Sequence, residues 1–220
     1  MKIKKVLLSL FLVILSSASL AKDKSQIGIL VFDKFLTSDV TAPIEVFGAA
    51  VKHDQFSEYE VVLISATKNL VVTSEEGLKI VADKSIYDAL NLKVLLVPSA
   101  YDMSPYLEDK KLVQFISDQS KKVDWNASNC SGAFLLGAAG VLDGKKATTW
   151  AGGENDLQKS YPEINVQYDE NVVLDAGVVT SNGGPISYQA AFELLAALSD
   201  EKFANQISEL IQFDRLENAF

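Results

Sequence analysis

A single cysteine, Cys130, lies in Ala127-Ser128-Asn129-Cys130-Ser131-Gly132-Ala133-Phe134-Leu135-Leu136. A strand-forming run passes there into a helix-forming run without a spacer. Small-x-Cys-x-Gly at such a junction is the thiol counterpart of a nucleophile elbow, a sharp turn that lifts a side chain out at the top of a sheet. Small residues at 128 and 132 suit it, because a tight turn brings backbone segments together. A helix starting near Ser131 would aim unpaired N–H groups at the sulfur, favouring a thiolate and offering oxyanion donors. The alternative is a buried structural cysteine. A histidine is the usual base for a nucleophilic thiol, but the chain holds only His53, in the polar stretch Val51-Lys52-His53-Asp54-Gln55. A carboxylate is the other choice. Asp39 follows the first apolar run and is placed to share a proton with the thiol, with Glu45 about one helical turn on as the second candidate. Either acid could instead be a helix-start residue stabilised by the dipole.

The elements that must position these groups alternate along the chain. Ile27–Phe32 is a continuous apolar run of strand length, as in a parallel sheet buried on both faces. Asp33–Thr41 reads as a loop, and Pro43 suits the first turn of the helix after it. Strands are expected at 59–65, 92–97 and 123–128, and short ones at 147–150 and 166–168. Residues 71–73 with 78–81, and 172–175 with 178–180, read as hairpins. Helices are expected at 106–121, 131–139, 188–198 and 201–213. This order predicts one domain over residues 22–220, a flavodoxin-like three-layer α/β/α sandwich with a mostly parallel sheet. Sites in such sheets form beyond the carboxyl ends of the strands, where the loops after Phe32, Val97 and Ser128 should converge.

Residues 1–21 read as a secretory signal. Lys2, Lys4 and Lys5 precede the apolar run Val6–Leu15, and Ser19-Leu20-Ala21 supplies small residues for cleavage. The run is short against the roughly 20 residues of a bilayer span. A periplasmic or secreted protein with no membrane attachment after cleavage is expected. The net charge is −9, and three of the lysines sit in that leader, so the rest is more acidic still. Such a surface repels phosphate backbones and argues against nucleic-acid binding. One cysteine leaves no internal disulfide, and no His/Cys/Asp cluster suggests a metal. No cofactor is expected.

The motifs Leu36-x-x-Asp39-x-x-x-Pro43-x-Glu45-Val46-Phe47, Val97-Pro98, the cysteine block continuing through Ala139-Gly140-Val141-Leu142-Asp143-Gly144, and Ala147-Thr148-Thr149 resemble the ThiJ/PfpI family of the class I glutamine-amidotransferase-like superfamily. The resemblance runs from about Ile27 to Leu198, and its nearest-looking branch contains the isonitrile hydratases and sensor-like domains of transcription regulators. It implies catalytic roles for Asp39, Cys130 and Ser131, with Ser131 standing where the hydratases have Thr. Cys130 would attack an electrophilic carbon, Asp39 trade protons with thiol and water, and Ser131 orient substrate or water. Trp150 stands where many relatives have His, which counts against peptidase or amidase chemistry. Pro98-Ser99-Ala100 stands where many have Pro-Gly-Gly, narrowing the oxyanion space while leaving a backbone N–H free to point inward. Glu45, Ser99, Ala100, Tyr101, Trp150 and Gly183, the last in the turn Thr180-Ser181-Asn182-Gly183-Gly184, are expected to line the substrate site. The resemblance also implies a homodimer. Three functions follow as expectations: a cysteine-dependent hydratase or hydrolase for a small nitrogen-containing or electrophilic molecule, a small-molecule binding or sensing domain, and a redox-responsive cysteine protein.

Overall fold

The computed structural model describes residues 24–218; the expected signal segment lies outside them. Eleven strands are present among these residues: β1 Ser25–Val31, β2 Tyr59–Ser65, β3 Val71–Thr73, β4 Lys79–Val81, β5 Lys84–Ser85, β6 Leu92–Val97, β7 Trp125–Asn129, β8 Lys146–Ala147, β9 Asn165–Val166, β10 Val172–Asp175 and β11 Val178–Ser181. Seven α-helices join them: α1 Thr37–Ala50, α2 Ser104–Leu107, α3 Lys110–Ser120, α4 Gly132–Ala138, α5 Glu154–Ser160, α6 Ile186–Leu198 and α7 Glu201–Leu210. No helix among the described residues is long and apolar enough to cross a membrane.

The main sheet runs β10-β11-β7-β6-β1-β2-β5 and is parallel except for the antiparallel β10–β11 hairpin. α1, α6 and α7 pack together on one face, and α2, α3 and α4 on the other. The strands at the centre are sealed on both sides: Ile27, Ile29, Leu30 and Val31 of β1 and Val94, Leu95 and Val97 of β6 are fully buried. That is why their sequences are apolar without alternation. β11, β7, β6 and β1 are consecutive and co-directional, so the segments leaving their carboxyl ends meet at one pole of the sheet. His53 follows the far end of α1 and lies exposed, edge-on to Phe203.

Several boundaries differ from the sequence reading for local reasons. α1 begins at Thr37, not after Thr41, so Asp39 stands in its first turn and Pro43 inside it. The helix expected over 106–121 is two, because the Asp109 carboxylate caps a fresh start by accepting from Lys111 N and Leu112 N. Such a cap competes well with continuing the helix. The strands expected at 147–150 and 166–168 shrink to the two-residue pairs of β8 and β9. The Gly152-Gly153-Glu154 turn opens α5, which the sequence reading leaves out; the Glu154 side chain folds back to accept from Gly152 N at 2.8 Å.

Candidate active site

Cys130 follows β7 with φ +50, a left-handed conformation that costs a side-chain-bearing residue on the order of 1–3 kcal/mol. The neighbours hold it there. Its N–H continues the sheet ladder to Ser181 O at 2.9 Å, and its carbonyl accepts from Thr149 Oγ1 at 2.9 Å. Gly132 passes so close to β6 that an added Cβ would lie 2.4 Å from Val97 O. The Ala-Thr-Thr segment thus clamps the elbow: Thr148 N donates to Thr180 Oγ1 at 2.8 Å while Thr149 holds the cysteine carbonyl.

Asp39 reaches the same pole from α1, and Pro43 is part of the reason. Lacking an N–H, Pro43 cannot complete the helical bond to the Asp39 carbonyl four residues back. That carbonyl instead accepts from the buried Asn129 Nδ2 at 2.9 Å. Asn129 in turn accepts from Ser181 Oγ at 2.6 Å, whose oxygen takes Gly183 N–H at 3.2 Å. One network therefore ties α1, β7 and β11 together beneath the cysteine.

The Asp39 carboxyl group is fully buried and faces no cation among the described residues. Oδ1 accepts from Gly184 N at 3.0 Å and Ser187 Oγ at 3.1 Å; Oδ2 accepts from Ser99 N at 3.1 Å and, in a short contact, from Ser99 Oγ. Burial raises its pKa above the usual carboxylate range, and these hydrogen bonds offset the rise only in part. Gly183, at φ +76, packs between Asp39 and the backbone of Cys130: an added Cβ would lie 2.4 Å from Cys130 Cβ and 2.9 Å from Asp39 Oδ1.

Burial also raises the Cys130 thiol above its ordinary value, with the Asp39 charge as second cause; hydrogen bonds from Ser99 and Ser131 oppose the rise. The expectation of a favoured thiolate is therefore overturned. A helix of seven residues and its N–H groups do not outweigh desolvation and a neighbouring carboxylate. The Asp39 charge among the causes of the thiol's rise means that a thiolate beside an ionised Asp39 is disfavoured.

A cavity of about 440 Å³ opens over the thiol, lined by Leu36, Ala100, Tyr101, Cys130, Ser131 and Trp150. Its walls carry no charged side chain. Ser131 Oγ donates to Ala100 O at 3.0 Å, fixing its oxygen beside the cavity. Trp150 stacks on Phe134, with centroids 5.3 Å apart, and lies flat on Gly153, where a Cβ would meet the indole at 2.1 Å. Tyr101 is 79% exposed at the mouth.

Of the residues expected to line the substrate site, Ala100, Tyr101 and Trp150 line this cavity. Ser99 is fully buried behind the wall, bound to Asp39. Gly183 packs under Cys130 rather than facing the cavity. Glu45 is exposed on α1 and accepts from Tyr188 Oη at 2.5 Å, which pushes that phenol up to about 12; it does not enter the cavity, since α1 turns it toward α6. Nor does the loop after β6 keep an inward backbone donor: Ser99 N–H goes to Asp39 and Ala100 N–H to Met103 Sδ at 3.1 Å. Leu36, which opens the Asp39 motif, is a further wall of the cavity, and an apolar residue at a loop end carries no local signal for that role. Ser187 had no local signal at all, being 148 residues from its partner. No group of three metal-ligating side chains occurs among the described residues.

Comparison with known proteins identifies the family and the fold. Residues 25–197 match the DJ-1/PfpI family. The isonitrile hydratase of Pseudomonas putida is 33% identical over 189 residues, covering 85% of this chain and 76% of that protein. A ThiJ/PfpI family protein from Pseudomonas syringae superimposes with a TM-score of 0.77 at 25% identity, covering 87% and 76% of the two chains. Drosophila melanogaster DJ-1beta shares the fold, with a TM-score of 0.73 at 16% identity over 86% of this chain and 98% of its own. With the match spanning the sheet, the elbow and the helices that flank them, the chain belongs to the DJ-1/PfpI family.

Proposed function

We propose that the protein adds water to a small, uncharged molecule with a carbon–nitrogen multiple bond, using Cys130 as nucleophile and Asp39 as its proton partner. The observation that carries this reading is the half-buried Cys130 at the floor of an uncharged cavity with the fully buried Asp39 behind it, whose charge opposes a second one on the thiol. Attack by sulfur on the electrophilic carbon forms a C–S bond. The thiol proton, held within the pair, passes to the substrate, giving a neutral thioimidate-type adduct. Water then attacks the same carbon; one of its protons goes to the substrate nitrogen and the other to the pair as the C–S bond breaks, which restores the thiol.

Two features favour hydration over amide hydrolysis. A tetrahedral amide intermediate needs donors aimed at an oxyanion, and the loop after β6 has turned its N–H groups to Asp39 and Met103. The walls of Leu36, Tyr101 and Trp150 suit an apolar, uncharged molecule. The hydratase relative from Pseudomonas putida, whose name gives its substrate class as isonitriles, makes N-substituted isonitriles the first compounds to assay. Cys130→Ala is expected to abolish formamide production and Asp39→Asn to lower it by about two orders of magnitude or more; undiminished turnover by Cys130→Ala rejects the reading.

The raised thiol supports a second reading, a binding or sensing domain in which the cysteine stays neutral. Ligand affinity that survives Cys130→Ala, with no product across a panel of isonitriles, nitriles and amides, would favour it.

A further inference from the structure

We propose that Glu76, at the tip of the β3–β4 hairpin, is a positioning residue for the site: it caps α1 from 39 residues away and so holds Leu36 as a fixed apolar wall, which selects small molecules whose reacting carbon carries an apolar substituent. The proposal rests on the cysteine-dependent reading above and deepens it.

A helix start leaves N–H groups without partners, and a Ser, Thr, Asp or Asn before it normally accepts one of them. In α1 that place is taken by Leu36, whose side chain has nothing to offer. A polar residue at 36 would cap the helix but would also bring a polar group to the cavity, where Leu36 is a wall. The missing acceptor comes from Glu76 Oε2, which takes Thr37 N–H at 3.0 Å and the Thr37 hydroxyl at 2.5 Å. That hydroxyl is the chief reason why the exposed Glu76 carboxyl lies below its ordinary range. A local rule is broken at the site and made good by a distant residue, the pattern expected where function decides a side chain.

The rest of the hairpin grips the same loop. β3 and β4 form a two-stranded sheet of their own. Lys34 N–H goes to Thr73 O at 2.7 Å, Thr73 N–H to Asp33 Oδ1 at 3.0 Å and Glu75 N–H to Phe35 O at 2.9 Å. On its inner side the loop is tied to the segment after β6, through Leu36 N–H to Ser99 O at 2.9 Å and the Phe35–Ala100 bridge. These ties end at the Leu36 nitrogen. Beyond it, Thr37 is joined to the hairpin by side chains: Glu76, and Ser74, whose hydroxyl lies 2.7 Å from that of Thr37. Leu36 stands between the two sets of ties, so its setting over the cavity depends on the Glu76 carboxylate.

The test is selection among electrophiles by Cys130, the only cysteine of the chain, in the full-length protein. Alkylation rates with iodoacetamide and with its N-phenyl derivative are measured at one pH, each divided by the rate for free cysteine. Both reagents meet the same thiol, so their ratio cancels the thiolate fraction and reads the walls. Wild type is expected to favour the phenyl reagent. Glu76→Ala should lower that preference roughly three- to tenfold, about the worth of one helix cap. Glu76→Gln, which keeps an oxygen for both Thr37 donors, should retain more of it. In a Leu36→Ala background, Glu76→Ala should change the preference no further. No preference in wild type, an unchanged preference in Glu76→Ala whatever its urea midpoint, a Glu76→Gln value no higher than that of Glu76→Ala, or an undiminished effect without Leu36 overturns the proposal. Isonitrile turnover with an unchanged preference in Glu76→Ala sinks this inference alone; the expected preferences without turnover of any compound sink the hydratase reading alone.

Discussion

The reactive chemistry of this protein is set by a contest between desolvation and hydrogen bonding at two side chains. Asp39 has four donors and still binds its proton more tightly than a free carboxyl group, because full burial outweighs them. Cys130 is raised for the same first reason and then by the Asp39 charge. The thiol therefore titrates in the field of a neighbouring carboxylate, unlike a thiolate stabilised by a cationic partner. The alkaline rise in Cys130 alkylation should therefore have its midpoint above that of a free cysteine. Removing the neighbouring charge in Asp39→Asn should move that midpoint down, the sign expected when an anion is taken away from a thiol. A midpoint in Asp39→Asn equal to or above wild type would contradict the electrostatic assignment.

At the scale of elements, the site depends on how α1 is fastened to the ends of β7 and β11. Pro43 leaves the Asp39 carbonyl without a helical donor, and Asn129 supplies one from the elbow strand. Substituting Asn129→Ala leaves that carbonyl and Ser181 Oγ short of partners in a buried place. A loss of about 2–6 kcal/mol is expected in urea unfolding, at 1–3 kcal/mol for each stranded group. Pro43→Ala restores an N–H four residues after Asp39. It should be milder alone and should recover part of the Asn129→Ala loss, so the double-mutant cycle is non-additive. Strict additivity would show that the proline and the asparagine are not linked through the Asp39 carbonyl.

For the whole molecule, the raised acids have a signed effect on folding. In the unfolded chain Asp39 releases its proton in the ordinary carboxylate range; in the folded chain it does so later. Its contribution to stability is complete below that range and is lost as pH rises through the folded value. Cys130 repeats the pattern at alkaline pH, where loss begins above the range of a free thiol. Exposed Glu76, held low chiefly by the Thr37 hydroxyl, works the other way and loses its contribution as pH falls. Comparing variants separates these effects. The gap in urea midpoint between Asp39→Asn and wild type should shift in favour of the variant as pH rises from acid to neutral. Cys130→Ser should flatten the alkaline loss.

The sandwich was legible in the chain because two-sided burial leaves a mark in local composition: apolar runs without alternation at 27–31 of β1 and 94–97 of β6 and a strand passing straight into a helix at Cys130. The elbow was legible for the same reason, since Gly132 must accommodate the β6 carbonyls in a turn only a few residues long. Asp39 could be nominated from its place after the first strand, but not its surroundings. Which donors surround it, that Ser99 turns inward to it, that Glu45 turns away toward Tyr188, and that the thiol is raised all follow from contacts between residues 60 to 148 positions apart. Local sequence records which way a segment folds and which face it buries. Desolvation and hydrogen-bond partnership belong to the packed whole, so the protonation chemistry of the site was decided only when the four strand ends came together.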